Sequence, residues 1–307
     1  MDVFLTLLVK LSPLYLLIGL GFIGGRFLQV ESRNFAGLMI YILTPIVIFS
    51  GTLQADISPA MVLIPVWMWG LSALNGGVFL RLGKKLLGDN RANILALLVG
   101  TGNTGYFGIP VALLLFPADQ VGLYIIAMLG VTLYENSLGF YWAANGRYTA
   151  RESFIKVLRL PSLYAFLLGL LLNFSGASMP LILTSMVENV RGAYTVLGMM
   201  IIGVGISQIK VEAASLRFAS LVLTGKFITW PLLALTLVSL DRWILHAYSE
   251  QIHASILLVS ITPLAANTVV IASLLDIHPQ RVALLTLVST LIALVYIPLM
   301  VGLLGIR

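Results

Sequence analysis

The chain has 307 residues, 59% of them hydrophobic and only 10% charged, with a mean hydropathy of +1.02. So few polar side chains cannot cover a water-soluble globule of this size, which leaves a bilayer as the solvent. The absence of cysteine excludes disulfides, thiolate metal sites and cysteine nucleophiles together, and the net charge of +6, in a chain this apolar, reads as basic cytoplasmic loops rather than as a nucleic-acid surface.

Ten apolar stretches are predicted to cross the membrane, each near the ~20 residues that the hydrocarbon core demands. They run over 4–25, 34–53, 59–80, 92–116, 120–143, 161–175, 192–208, 217–240, 252–275 and 280–304. The first has no basic segment before it and carries Arg26 and Arg33 after it, so it reads as a retained span rather than a cleaved signal. Pro45, Pro65, Pro231 and Pro298 each stand alone in their spans and read as kinks. Span four differs. It contains Gly100-Thr101-Gly102-Asn103-Thr104-Gly105-Tyr106-Phe107-Gly108-Ile109-Pro110, and each interior Gly costs about 1 kcal/mol and Pro about 3 relative to Ala. That segment is expected to unwind near the midplane.

Span five carries Glu135, and span eight carries Lys226. Between spans five and six, 145–160 is basic and polar and reads as a cytoplasmic linker. Segment 179–191, interrupted by Glu188 and Arg191, reads as an interfacial turn or the start of span seven, with those two residues as a structural pair. Span nine repeats the interruption of span four at Ser260-Ile261-Thr262-Pro263-Leu264-Ala265-Ala266-Asn267-Thr268. His246, His253 and His278 fall at loop ends without a carboxylate cluster, so no metal site and no cofactor is expected.

The loops sort by charge. Arg26, Arg33, Arg81, Lys84, Lys85, Arg91, Arg147, Arg151, Lys156, Arg159, Lys210, Arg217 and Arg281 fall on one side, against Arg242 and Arg307 on the other. The basic side is cytoplasmic, so both termini face out of a multi-pass protein of the inner membrane. Five spans precede the linker and five follow it. An odd number inverts the second half, giving a five-helix repeat over 1–144 and an inverted one over 161–307. At an offset of 153 residues Tyr41 meets Tyr194, Pro45 meets Gly198 and Pro110 meets Pro263.

Irregular backbone at membrane depth persists only where protein or a water-filled cavity satisfies it, and interrupted spans at corresponding places in two halves point to a transport site. The candidate substrate-binding residues are therefore Asn103, Thr104, Tyr106, Gly108 and Pro110 in span four, with Pro263, Asn267 and Thr268 in span nine. Lys226 and Glu135 come to similar depths, about 13 Å and about 22 Å from opposite faces at 1.5 Å per residue. They are expected to pair, and the lysine is also placed to hold the unwound carbonyls of a crossover.

Asn103-Thr104-x-x-x-Gly108-Ile109-Pro110 resembles the first crossover of the auxin efflux carrier family. Pro263, Ala272 and His278-Pro279 resemble its second crossover, and Tyr41-x-x-x-Pro45 and Lys226-Phe227-x-x-x-Pro231 are similar to further family stretches. The resemblance covers nearly the whole chain. It implies an all-α integral membrane fold of ten transmembrane helices in two inverted five-helix repeats, with crossing broken helices four and nine. It further implies a scaffold of helices one, two, six and seven, and elevator-type alternating access. The substrates it implies are organic anions, indole-acetate in plants and small carboxylates in some bacterial relatives. By position Asn103 matches the family's substrate-binding asparagine, Pro110 and Pro263 its crossover prolines, and Asn173 a second asparagine. The short 145–160 linker departs from the plant carriers and suits a compact prokaryotic member.

The resulting expectation is a secondary transporter of small organic anions, working by efflux or exchange, with the anion and the lipid bilayer as partners and a homodimer left open. Two alternatives stand beside it. A sodium-coupled carrier of the bile-acid type would need acidic ligands that the crossovers lack. A membrane-embedded enzyme would need paired aspartates, His-Glu-x-x-His or a Ser/His arrangement, and none is present.

Overall fold

The computed structural model describes residues 2–30, 37–55, 57, 59–144, 151, 155, 158–159, 161–207, 215–275 and 277–306. Among them every regular element is helical, the outcome for spans that must satisfy their own backbone once water is gone. The first half runs α1 (Asp2–Phe27), α2 (Thr44–Gln54), α3 (Ile64–Leu87), α4 (Arg91–Gly100), α5 (Ile109–Leu115), α6 (Ala118–Tyr134) and α7 (Phe140–Ala143). The rest runs α8 (Pro161–Phe174), α9 (Leu181–Ser207), α10 (Leu216–Thr224), α11 (Trp230–Leu240), α12 (Glu250–Ser260), α13 (Asn267–Leu275) and α14 (Pro279–Leu304).

Seven helical stretches are long and apolar enough to cross a membrane: Phe4–Phe27, Met61–Leu87, Arg91–Leu115, Gln120–Ala143, Leu181–Ser207, Leu216–Leu245 and Pro279–Leu304. Tyr41–Gln54 and Pro161–Phe174 are shorter apolar helices. Most of 145–160, the expected linker, lies outside the described residues. One boundary moves substantially. Helix α9 begins at Leu181, so Glu188 and Arg191 lie within a helix, not in a turn. They pair at 2.9 Å, and Arg191 also reaches Gln54 Oε1 at 2.9 Å and Ser50 Oγ at 3.4 Å on α2. A guanidinium anchored this way through both terminal nitrogens does not interrupt the helix.

Three of the prolines follow one pattern. Pro45, Pro110 and Pro231 each stand in the first turn of a helix directly after a π-helical segment, Met39–Leu43, Thr104–Gly108 and Gly225–Thr229 respectively. Proline lacks an N–H and its ring pushes against the carbonyl four residues back, so the preceding turn widens. The carbonyl freed by Pro231 belongs to Phe227 and accepts a hydrogen bond from Tyr296 Oη at 2.7 Å. Thus Pro45 and Pro231 widen a turn instead of making the expected mid-span kink, and only Pro298 of the four lies inside a continuous helix.

The widest contacts between helices distant in sequence are α1 on α9 and α2 on α8. On the first face the backbones touch. A Cβ at Gly21 would stand 2.1 Å from Met200 O, and one at Gly203 1.9 Å from Ile18 O. Small residues allow this close approach, which is how packed helices gain contact energy in lipid. Enclosed by the other elements are α4 and α12, buried over 92–100 and 252–260 without a gap. Outside the spans, Gly88 ends α3 in the left-handed conformation at φ 72°, and the Arg91 guanidinium hydrogen-bonded to Asp89 holds that carboxyl below the usual carboxylate range.

Candidate functional site

Helix α4 stops at Gly100 and the chain is non-helical over Thr101, Gly102 and Asn103 before the π-helical segment begins. The break is shorter than the expected 100–110, because Asn103 restarts the helix. Its Oδ1 accepts from Phe107 N at 3.2 Å and its carbonyl from Gly108 N at 2.9 Å, which makes it an N-cap. Since a backbone N–H can only donate, the cap fixes the amide with Oδ1 inward. Nδ2 is then turned away from the helix, and no described residue accepts from it.

Helix α12 stops at Ser260, and the helix resumes at Asn267. The two breaks are joined by backbone: Asn103 N donates to Pro263 O at 2.8 Å. No side chain fits between them. A Cβ at Gly102 would lie 2.5 Å from Thr262 Oγ1 and 2.7 Å from Lys226 Nζ, and one at Gly108 1.9 Å from Tyr124 Oη. These two glycines therefore also serve close approach.

A helix end leaves orphan carbonyls, and side chains collect those of α4. Tyr134 Oη donates to Ala96 O at 2.8 Å, Thr101 Oγ1 to Leu97 O at 2.9 Å, and Asn75 Nδ2 to Val99 O at 2.7 Å. Asn75 Nδ2 also reaches Gly225 O at 3.1 Å, and its Oδ1 accepts from Thr229 Oγ1 at 2.9 Å, which ties the break to the π-helical segment of Lys226. Lys226, fully buried, donates from Nζ to Thr101 O at 2.6 Å. The second break is held similarly: Thr262 Oγ1 donates to Val259 O at 2.8 Å, and Ser289 Oγ accepts from Leu264 N at 3.1 Å.

The expected Lys226–Glu135 pair is not formed, since no ion pair among the described residues joins them. The lysine is drawn to the bare carbonyl of Thr101. Glu135 begins its own π-helical segment (Glu135–Gly139), is 6% exposed, and interacts with the Asn267 amide and the Tyr106 ring hydroxyl. It thereby interacts with one residue from each crossover, by a hydrogen bond in span nine and through space in span four.

Of the other expected residues, Thr104 offers its carbonyl to Tyr124 Oη at 2.9 Å, and Thr268 Oγ1 is used by Ala265 O at 2.6 Å. Pro110 is in the first turn of α5 and not in the gap, so it is no structural counterpart of Pro263. The breaks follow Gly100 and Ser260, an offset of 160 (260 − 100) and not 153. Asn173 stands apart from the crossovers in its bonding: Nδ2 donates to Thr52, Leu53 and Ala55 carbonyls at 3.3, 3.0 and 2.7 Å, closing the end of α2. Sequence reasoning passed over Asn75, Thr101, Tyr124 and Tyr134. Asn75 carries a signal in the sequence, an amide in the middle of an apolar span.

No family model matches the chain. Two relatives, each 26% identical, are both named as uncharacterized transporters. One, from Methanothermobacter thermautotrophicus, aligns over 200 residues, 59% of this chain and 65% of its own length, so the chain spans under two thirds of that relative. The other, from Methanocaldococcus jannaschii, aligns over 282 residues, 88% of this chain and 89% of its own length.

Proposed function

We propose that this chain is a membrane transporter that moves small organic anions, carboxylates above all, by alternating access around the two joined breaks. The chain is all-helical among its described residues, has seven apolar spans, and is similar to two proteins named as transporters rather than enzymes. One observation carries the substrate class: a buried lysine without an acidic partner holds the break at Thr101, two residues from an asparagine amide that has a free donor. An amine that an arriving anion would hold protonated and an aimed amide N–H, both donors in a water-poor site, favour an anion. The ammonium on Thr101 O also does what a bound cation would do there, which favours this reading over the sodium-coupled one.

The finer architecture belongs to the same proposal. Adding α2, α8 and the broken α12–α13 to the seven long spans gives ten, in two halves of five. If the halves are inverted repeats, α1 on α9 and α2 on α8 are equivalent contacts, and they are the two widest between distant helices. Those four helices would form the scaffold of an elevator in which the crossovers move, in the inner membrane, as the likeness to auxin efflux carriers suggests.

Proteoliposomes loaded with unlabelled carboxylates test the reading. Labelled acetate or benzoate is expected to enter by exchange without a sodium gradient, and Asn103→Ala is expected to raise the half-saturating concentration about tenfold, the worth of one charge-assisted hydrogen bond. A properly inserted Asn103→Ala variant with unchanged exchange would remove Asn103 from the site. Sodium-dependent uptake, or none, would overturn the mechanism.

A further inference from the structure

Two buried hydroxyls have no role in the arrangement described so far. Tyr194, on α9, is wholly buried, and its Oη makes no hydrogen bond of ordinary geometry among the described residues, with Thr44 as the one hydroxyl that interacts with it. Tyr106 Oη, on the π-helical segment of the first crossover, is buried and equally unmatched. The third buried hydroxyl here, that of Tyr124, is satisfied by Thr104 O at 2.9 Å. Tyr194 is within electrostatic reach of both Tyr106 and Tyr124.

The placement is directional. Helix α9 packs on the segment Thr104–Gly108 and on α5, and a Cβ at Gly105 would stand 3.3 Å from Tyr194 Oη. The hydroxyl is therefore aimed at the crossover, across a position where glycine leaves the backbone bare. Buried donors are nearly always matched, and one that is not points to a missing partner. Two such donors on facing elements, one of them three residues after Asn103 in the sequence, need an acceptor.

We infer that Tyr106 and Tyr194 form a two-donor subsite, astride the contact between the first crossover and α9, that takes an acceptor oxygen of the transported anion. The inference rests on the anion reading above and adds to it a selectivity. Asn103 Nδ2 and the two phenols are neutral donors, and the two buried Lys and Arg side chains among the described residues are already engaged, Lys226 on Thr101 O and Arg191, one turn before Tyr194, on Glu188, Gln54 and Ser50. Glu135 lies near Tyr106 and disfavours further negative charge. Such a site holds the two oxygens of a monocarboxylate and discriminates against dianions such as succinate or phosphate.

The test uses the purified full chain and reads both ligand affinity, by calorimetry with acetate, benzoate and succinate, and the melting temperature of the ligand-free protein. The wild type is expected to bind a monocarboxylate at least tenfold tighter than succinate. Tyr194→Phe keeps the ring and deletes the unmatched hydroxyl. It is expected to weaken monocarboxylate binding about tenfold and to leave the ligand-free melting temperature unchanged or raised, because no bond is lost and a buried polar group is removed. Tyr106→Phe should do the same. A Tyr194→Phe protein that binds normally, or that melts earlier with affinity intact, overturns the subsite, while loss of binding in Asn103→Ala alone would leave the anion reading standing. A wild type that binds none of the three acids overturns both.

Discussion

Lys226 brings a charge into the middle of the molecule and spends it on one carbonyl, Thr101 O at 2.6 Å. Lys226→Met has opposing effects on folding. It removes the desolvation cost of a buried ammonium, and it orphans a carbonyl at about 1–3 kcal/mol. Since these offset, the variant is expected to fold with a melting temperature close to wild type while anion exchange is lost. A large drop in melting temperature with exchange preserved would make the lysine purely structural. Because Glu135 turns to Asn267 and shares no partner with Lys226, the effects of Lys226→Met and Glu135→Gln on stability should add within about 0.5 kcal/mol. A stabilising interaction well above that in the double variant would show that the pair does form.

At the level of elements, composition told where the spans are and left open how they end. Four glycines near a proline correctly announced a broken helix four, since no regular helix carries that cost. What the residues could not announce was the holding of the break. Asn75 is 24 positions from Val99 and 150 from Gly225, and no local pattern encodes such partners. Asn173, read by positional likeness as a substrate ligand, closes the end of α2 on three carbonyls that no local pattern encodes. Removal of one hydrogen-bonded polar side chain costs about 1 kcal/mol. Asn173→Ala is accordingly expected to lower the melting temperature by a few degrees and leave anion affinity as it was. Lost affinity at an unchanged melting temperature would restore it to the binding site.

For the molecule as a whole, the meeting of α4 and α12 constrains orientation. Each runs inward from its own turn and ends at a break, and the breaks are joined by Asn103 N to Pro263 O at 2.8 Å. If the halves are inverted, the turn before Arg91 and the turn before Glu250 lie on opposite faces of the membrane. Their charge agrees. The first turn carries Arg81, Lys84, Lys85 and Arg91, whereas the second has Asp241 and Glu250, with Arg242 as its lone Lys or Arg, bound to Glu250. Lysine and arginine are retained on the cytoplasmic side, so the first turn is expected to face the cytoplasm and the second the outside. The chain has no cysteine of its own, which lets single cysteines report directly. Asn90 and Ser249 are both exposed, one in each turn. In intact cells an impermeant thiol reagent is expected to modify Ser249→Cys and to spare Asn90→Cys until the membrane is opened. Modification of both from outside would refute the inverted arrangement, and modification of Asn90→Cys alone would keep it but turn the molecule over.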